Sequence, residues 1–508
     1  MIKIDALEKK YNNPIYELSL THTMLPKGYG LPKVHKRDIP LRIVISTINS
    51  PCHRLATIIY KELNLCIKKP ESHIDNSFAL IKKLKDVVLP SDYILLSLDV
   101  TSLFTNITLE AVLNSLERRI RHIHNTSKIP FGKIIEIVQF LFDNQYFKLG
   151  GKFFQQIKAM FMGSPTSPLF ADMVMEDCEI ECLNILKNVY NIIPLFYFRY
   201  VDDTIMCVRK DSINKILRVF NSYDDNLNFT YELELNNKLN FLDMMLIKEN
   251  GKISTNWYKK PTNTDRILNF NSSHKIQLKR NIIFNLVDRA ILLSDKKFHI
   301  SNLQFIKNLL LKNAYPEKFI DSCVRERMRK NIYLNENIEK QNNETKTLCT
   351  VSIPYKPIFY SKCSKALAKY NIRTIPKLNN KLDNIIVLGK DKFDKFEKTE
   401  IIYKFCCNMC SACYVGESKR SLRVRMDEHE DYVNKNTVVS NHIKEMSHMF
   451  DWDNVKILDH ESNWQKRRIS EMLFINSHNN TLNRKEDTFA LSHIYKPITS
   501  TLKRMCSR

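Results

Sequence analysis

Two adjacent aspartates, Asp202 and Asp203, lie between a pair of apolar runs, Leu195 to Phe198 and Thr204 to Val208, and this restricts the local fold severely. Neighbouring residues on a straight strand point to opposite faces, so both carboxylates can serve one site only where the chain turns. The pattern therefore predicts a hairpin with Tyr200-Val201-Asp202-Asp203 at its tip. A third carboxylate, Asp99, ends another buried-strand pattern, Tyr93-Ile94-Leu95-Leu96-Ser97-Leu98, and is expected beside the pair. Clustered carboxylates repel one another unless cations neutralise them, and magnesium is the usual divalent partner of oxygen ligands. Two such ions ~3.5–4 Å apart support in-line phosphoryl displacement, the chemistry of nucleotide polymerisation. An ordinary polar turn is the competing reading of an isolated Asp-Asp pair.

The charge balance agrees with a polyanionic partner. Lys+Arg number 78 against 55 Asp+Glu, a net +23 spread along 508 residues rather than gathered in a tail. Such a chain attracts nucleic acid before a membrane surface. Hydrophobic residues at 44% exclude a wholly disordered chain, and only 9 glycines exclude a collagen-like or glycine-linker sequence. No stretch approaches the ~18 apolar residues of a membrane span. The first residues lack the apolar core of a signal peptide, so an intracellular, reducing setting is expected. There, the crowding of Cys406, Cys407, Cys410 and Cys413 reads as metal before disulfide. Cys407 and Cys410 with His442 and His448 have the spacing of a structural, tetrahedral zinc site. Cys406 and Cys413 leave the register open, and a redox-active thiol pair is the alternative.

Strand-like and helical runs mix as far as about residue 250. Helical spacing follows, with Ile283, Leu286, Val287, Ala290 and Ile291, then Leu303, Ile306, Leu309 and Leu310. A polar stretch over 335–348 and a proline-bearing stretch precede a compact unit that starts near Ile401. The expected divisions are 1–250, a helical 251–345, a linker over 346–400, and 401–495.

The order Asp99, Met162-Gly163-Ser164-Pro165-Thr166-Ser167-Pro168, Tyr200-Val201-Asp202-Asp203 and Phe241-Leu242-Asp243 resembles the palm motifs of reverse transcriptases. Gly30-Leu31-Pro32-Lys33-Val34-His35-Lys36 with Pro40-Leu41-Arg42-Ile43-Val44 ahead of them, and Tyr258 to Thr262 and Leu268 to Ser272 behind, resemble the Penelope-like retroelements. This resemblance covers nearly all of the chain. It implies a multidomain α/β protein: a right-hand polymerase with α+β fingers and palm and a helical thumb, followed by a small zinc-bearing α/β endonuclease of the GIY-YIG class. By the same resemblance Asp99, Asp202 and Asp203 hold two magnesium ions. Phe104 excludes a ribose 2′-hydroxyl, with plain core packing as its alternative. Gly163 lets the backbone approach template or incoming base, and Ala159 stands where glycine is expected. Lys33, Lys36 and Arg42 are candidates for triphosphate or template-phosphate contacts, or else solvated surface charges.

For the nuclease, the resemblance rests on Ile401-Ile402-Tyr403, Tyr414-Val415-Gly416, Arg425, His429, Glu471 and Leu482-Asn483-Arg484 in that order. The first motif departs from the family, with Glu400 and Ile401 where glycine is expected. Arg425 and His429 are four apart and share a helix face. The resemblance implies that Tyr403 and Tyr414 line the site and one acts as base, that His429 assists and Glu471 binds one magnesium, and that Asn483 orders the site. Arg425 offers a planar fork to a phosphate gaining charge. Glu471 as a solvent-facing residue paired with Arg467 or Arg468 is the plainer reading. The implied partners are template RNA, primer and target DNA, and deoxynucleoside triphosphates, in the nucleus, with no membrane association. An RNA-templated RNA polymerase is one alternative. A shortened or co-opted copy is another, because the first motif begins as early as Gly30.

Overall fold

The computed structural model describes residues 25–33, 38–48, 50–336, 349–378, 394–431, 437–478 and 480–495. The first unit opens with the antiparallel hairpin β1 (Lys27–Pro32) and β2 (Leu41–Ser46). Helix α1 (Pro51–Cys66) follows, started by a proline whose fixed φ suits the first helical turn. Strand β3 (Tyr93–Val100) leads to helices α2 (Leu109–Arg118) and α3 (Phe131–Asp143). The hairpin β4 (Tyr146–Leu149) and β5 (Lys152–Gln155) joins β1 to give the sheet β2-β1-β4-β5. Next come the long helix α4 (Ser167–Tyr190), strands β6 (Phe196–Tyr200) and β7 (Asp203–Arg209), helix α5 (Ile213–Asn221) and strand β8 (Phe229–Leu233).

These last strands form the central antiparallel sheet β6-β7-β3-β8. One face, through Leu96, Leu98, Val100, Met206 and Val208, packs on α1, α2, α3, α4 and α5. The other, through Leu95, Ile205, Cys207 and Phe196, packs on a second sheet of β9 (Lys238–Phe241), β10 (Met244–Glu249) and β11 (Lys252–Trp257). Burial on both faces is why β3 reads as a nearly unbroken apolar run. Each fully buried Leu or Ile contributes about 1.5–3 kcal/mol. The sheet is therefore fixed by its middle and can carry polar residues at its ends.

The expected division at 250 falls on the Asn250-Gly251 turn of the β10–β11 hairpin, where both residues have positive φ. The sheet-bearing part thus runs on to Trp257. Beyond it, α6 (Ile276–Leu292), α7 (His299–Lys312) and α8 (Glu317–Glu336) close around Ile283, Val287, Ala290, Ile306, Leu310 and Ile320, as the helical spacing requires.

Residues 349–377, within the stretch expected to be a linker or connector, are folded. They form a parallel pair, β12 (Cys349–Pro354) and β13 (Ile372–Lys377), joined by α9 (Pro357–Ala368). The buried Tyr360 locks this unit by donating its hydroxyl to the Thr374 carbonyl at 2.9 Å.

The last unit is a three-stranded antiparallel sheet in the order β15-β14-β16, made of β14 (Ile401–Cys406), β15 (Cys413–Ser418) and β16 (Lys456–His460). Alternation along β14 sends Ile401, Tyr403 and Phe405 to one face, packed against α10 (Leu422–Asp431) and α11 (Val438–Met446). Ile402 faces the other way, onto Val415 and onto Ile475 of α12 (Trp464–Ser477). No helix among the described residues is long and apolar enough to cross a membrane.

Candidate active sites

The hairpin expected at Tyr200–Asp203 is present: Tyr200 pairs with Asp203, and Val201-Asp202 form the two-residue loop. Val201 has a φ of 57°, a conformation that β-branched residues strongly resist. Leu98 of β3 pairs with Thr204 of β7, so Asp99 and Asp203, one step further along, are cross-strand neighbours. Such neighbours have Cα atoms about 4.5–5.5 Å apart. The carboxyls feel each other. Burial first, then the charges of Asp202 and Asp99, push the Asp203 carboxyl up to about 6. The three are nevertheless open: among the described residues, the set whose donor atoms all lie within 4.8 Å is Cys407, Cys410, His442 and His448.

The second centre is built around Tyr403, which is fully buried. Its phenolic oxygen accepts from Arg425 Nε at 3.0 Å and lies 2.9 Å from His429 Nε2. Burial, then the Arg425 charge, lower the His429 pKa to about 4. The imidazole is therefore neutral near pH 7 and can accept the Tyr403 proton through Nε2. Burial pushes both Tyr403 and Tyr414 above the ordinary phenol range, Arg425 opposing in each case. Gly416 pairs with Tyr403 across the β14–β15 ladder, and a Cβ there would meet the Tyr403 hydroxyl at 2.6 Å. The glycine of the second motif is thus the space in which the tyrosine lies. Ile401, where the first motif lacks glycine, is an ordinary buried strand residue, while Glu400 before it adopts a φ of 58°.

Glu471 on α12 is half-buried rather than solvent-facing. Burial, then the charges of Glu417 and Asp487, raise its carboxyl to about 7. Arg467 does not serve it: that guanidinium is 1% exposed and pairs with Glu417 at 2.5 Å. Asn483 clamps β15, accepting from Val415 N–H at 3.0 Å and donating to the Val415 carbonyl at 2.8 Å. At the far end of β14, Cys410 Sγ lies 3.6 Å from His442 Nε2, and Cys407 Sγ accepts from the Met409 N–H. His448 Nδ1 is buried and has no hydrogen-bond partner among the described residues. Two thiols, two imidazoles and an orphaned ring nitrogen fit a zinc ion. Cys406 and Cys413 lie outside this set.

Residues 34–242 match the family described as Reverse transcriptase (RNA-dependent DNA polymerase). That stretch includes Asp99 and the Asp202-Asp203 hairpin. Residues 266–325 match a family described as Animal helix-turn-helix domain, which spans α6 and α7. No curated protein matches the chain. Among solved structures, a telomerase from Candida albicans in complex with a telomeric RNA fragment has a TM-score of 0.42 at 11% identity, over 67% of this chain and 65% of that one. The RNA-dependent RNA polymerase of a human picobirnavirus has a TM-score of 0.38 at 11% identity, over 57% and 56%. The chain thus spans less than two thirds of either structure, and both superpositions are too loose to bear on function.

The expected substrate-side residues are placed unevenly. Phe104, on the short helix Leu103–Asn106 that follows β3, is half-buried against the core beneath the sheet. Lys33 and Arg42 lie on the β1–β2 hairpin, with Arg42 exposed; Lys36 lies outside the described residues. A Cβ on Gly163 would meet the Ile45 carbonyl oxygen at 2.3 Å, so glycine here permits the close approach of β2. Ala159, where the resemblance led to glycine being expected, has a φ of 59°, a left-handed conformation that glycine adopts at least cost. Buried Gln145 holds this loop, donating to the Ala159 carbonyl at 2.5 Å and accepting from Phe161 N–H at 2.8 Å.

Sequence reasoning missed Gln145, and it missed Arg199. The latter left a readable signal: an arginine inside the apolar run Phe196–Tyr200 must find an anion if that strand is buried.

Proposed function

We propose that the chain is the enzyme of a Penelope-like retroelement, an RNA-directed DNA polymerase joined to a GIY-YIG-class DNA endonuclease. The convergence of Asp99 with Asp202-Asp203 at the rim of the central sheet carries the polymerase half of this reading. Asp99, Asp202 and Asp203 would hold divalent magnesium, which would activate a primer 3′-hydroxyl and neutralise the triphosphate in in-line transfer. The chain's own part is to hold the carboxylates ionised on one rigid rim. Beside them, the aromatic bulk of Phe104 favours deoxynucleotides over ribonucleotides.

In the nuclease half, Tyr403 is the candidate base, oriented by its hydrogen bonds to Arg425 and neutral His429, and Arg425 offers its guanidinium to the phosphate. Glu471 would hold a magnesium ion. Cys407, Cys410, His442 and His448 would hold a structural zinc. The cut supplies a 3′-hydroxyl in target DNA, and carrying both centres on one chain keeps that end concentrated near the polymerase. Template RNA, target DNA and deoxynucleoside triphosphates are the partners, and the nucleus is the place of work.

Primer extension on an RNA template with magnesium, comparing wild type and Asp202→Asn, tests the first half. Equal activity rejects the carboxylate assignment, and preference for ribonucleotides rejects DNA synthesis. Plasmid nicking by wild type, Arg425→Ala and Glu471→Ala tests the second half. Full activity in both variants moves the nuclease elsewhere.

A further inference from the structure

Arg199 is fully buried on β6, two residues before the hairpin loop. Its Nε donates to Glu179 at 2.9 Å, and its Nη1 donates both to Asp172 Oδ1 at 2.6 Å and to the Val201 carbonyl at 3.0 Å. Its Nη2 reaches the Asp172 carbonyl at 3.4 Å. Asp172 and Glu179 are seven residues apart on α4, hence on one face of that helix. The second Glu179 oxygen accepts from Ser72 Oγ at 2.5 Å, and Ser72 also takes the Arg199 backbone N–H at 2.8 Å. The guanidinium is therefore fixed from below by two carboxylates. Its remaining reach goes to one backbone oxygen of the loop that carries Asp202.

That oxygen belongs to Val201, the residue held at a φ of 57°. A β-branched residue in this region is strained by about 1–3 kcal/mol and persists only when its surroundings over-determine it. A relaxed loop would turn the Val201–Asp202 peptide and carry the Asp202 carboxylate away from Asp203 and Asp99. We propose that Arg199 is a positioning residue for the polymerase centre: it locks the strained Val201 peptide so that Asp202 faces the metal site. This rests on the polymerase reading above. The fork geometry matters, because lysine keeps the charge but cannot hold Glu179, Asp172 and Val201 together.

Arg199→Lys is expected to raise the magnesium concentration for half-maximal primer extension about tenfold, the worth of one hydrogen bond from a charged donor. The KM for deoxynucleotide stays close to wild type, and activity recovers largely at saturating magnesium. Mn2+ binding followed by paramagnetic resonance weakens in parallel, without reference to activity. Asn tolerates left-handed φ, so adding Val201→Asn to Arg199→Lys returns the midpoint part of the way to wild type. A merely structural arginine lowers the folded, active fraction and leaves both midpoints where they were, and that result overturns the proposal. If Arg199→Lys does not fold, Asp172→Asn, which loosens the guanidinium without touching the loop, must shift the midpoint in the same direction. Full extension by Asp202→Asn sinks the polymerase reading itself. Loss of extension there, with an unmoved midpoint in Arg199→Lys, sinks only the role given to Arg199.

Discussion

Replacing Asp202 by Asn should abolish extension and at the same time stabilise the magnesium-free protein. The Asp203 carboxyl is held at about 6 against an ordinary 3.8. At about 1.4 kcal/mol per unit, ionising it in the folded state costs about 3 kcal/mol. Burial is the largest cause and the Asp202 charge the next. After a discount for the solvent that reaches this half-buried pair, removing the charge returns about 1 kcal/mol, a rise of about 2–4 °C in Tm for a domain of this size. The sign follows from linkage. A carboxyl whose folded pKa is raised is no burden at pH below about 4, where it is protonated in both states, and becomes one as pH rises through about 6. Thermal unfolding of wild type and Asp202→Asn should therefore differ at pH 7.5 without magnesium and converge near pH 4. Added magnesium should stabilise the wild type more than the variant. If Asp202→Asn melts lower than wild type at pH 7.5 without magnesium, or gains as much from magnesium, the three carboxylates do not share a site.

The remaining expectations concern the unit that starts at Ile401 and the nuclease proposed for it. Tyr403→Phe removes the hydroxyl shared by Arg425 and His429 and should lower plasmid nicking by about 10²–10⁴-fold, with little change in circular dichroism. Gly416→Ala puts a methyl 2.6 Å from the Tyr403 hydroxyl; it should destabilise the unit by about 1–3 kcal/mol and lower nicking with it, measured by urea unfolding and by the plasmid assay. Cys410→Ser should lose bound zinc by elemental analysis and lower the Tm, whereas Cys406→Ser should retain the metal. Nicking should fall as pH drops below about 7, where the Glu471 carboxyl takes up a proton and ceases to bind magnesium; a flat profile from pH 8 to 5.5 would remove Glu471 from the metal site.

The carboxylate rim was legible because burial writes itself plainly into strands. Leu95, Leu96 and Leu98 had to be apolar, so Asp99 at their end stood out, and the same contrast marked Asp202-Asp203. The Cys407-Cys410 and His442-His448 spacings were legible because tetrahedral coordination needs short local loops. The βαβ unit over 349–377 was hidden for the opposite reason. Its strands are mostly exposed, and Pro354, Pro357 and Pro376 looked like breakers. Pro354 ends one strand, Pro357 sits in the first helical turn, and Pro376 lies near the end of a strand in a two-stranded sheet, all positions where a missing N–H does no harm. The Asn250-Gly251 hairpin signal was in plain sight, yet the polar residues of Lys252–Trp257 obscured the strand after it. Gly163 shows a different limit: glycine announces a close approach and does not say to what.

Strand β14 carries Tyr403 near its start and runs into Cys407, and the two share a face because they are four residues apart. A single residue inserted between them would turn one of the two away from α10 and toward Ile475. Tyr403 and Cys407 are therefore bound to a common parity, and this stretch can vary in side chain but not in length without turning one of them out of the core they share.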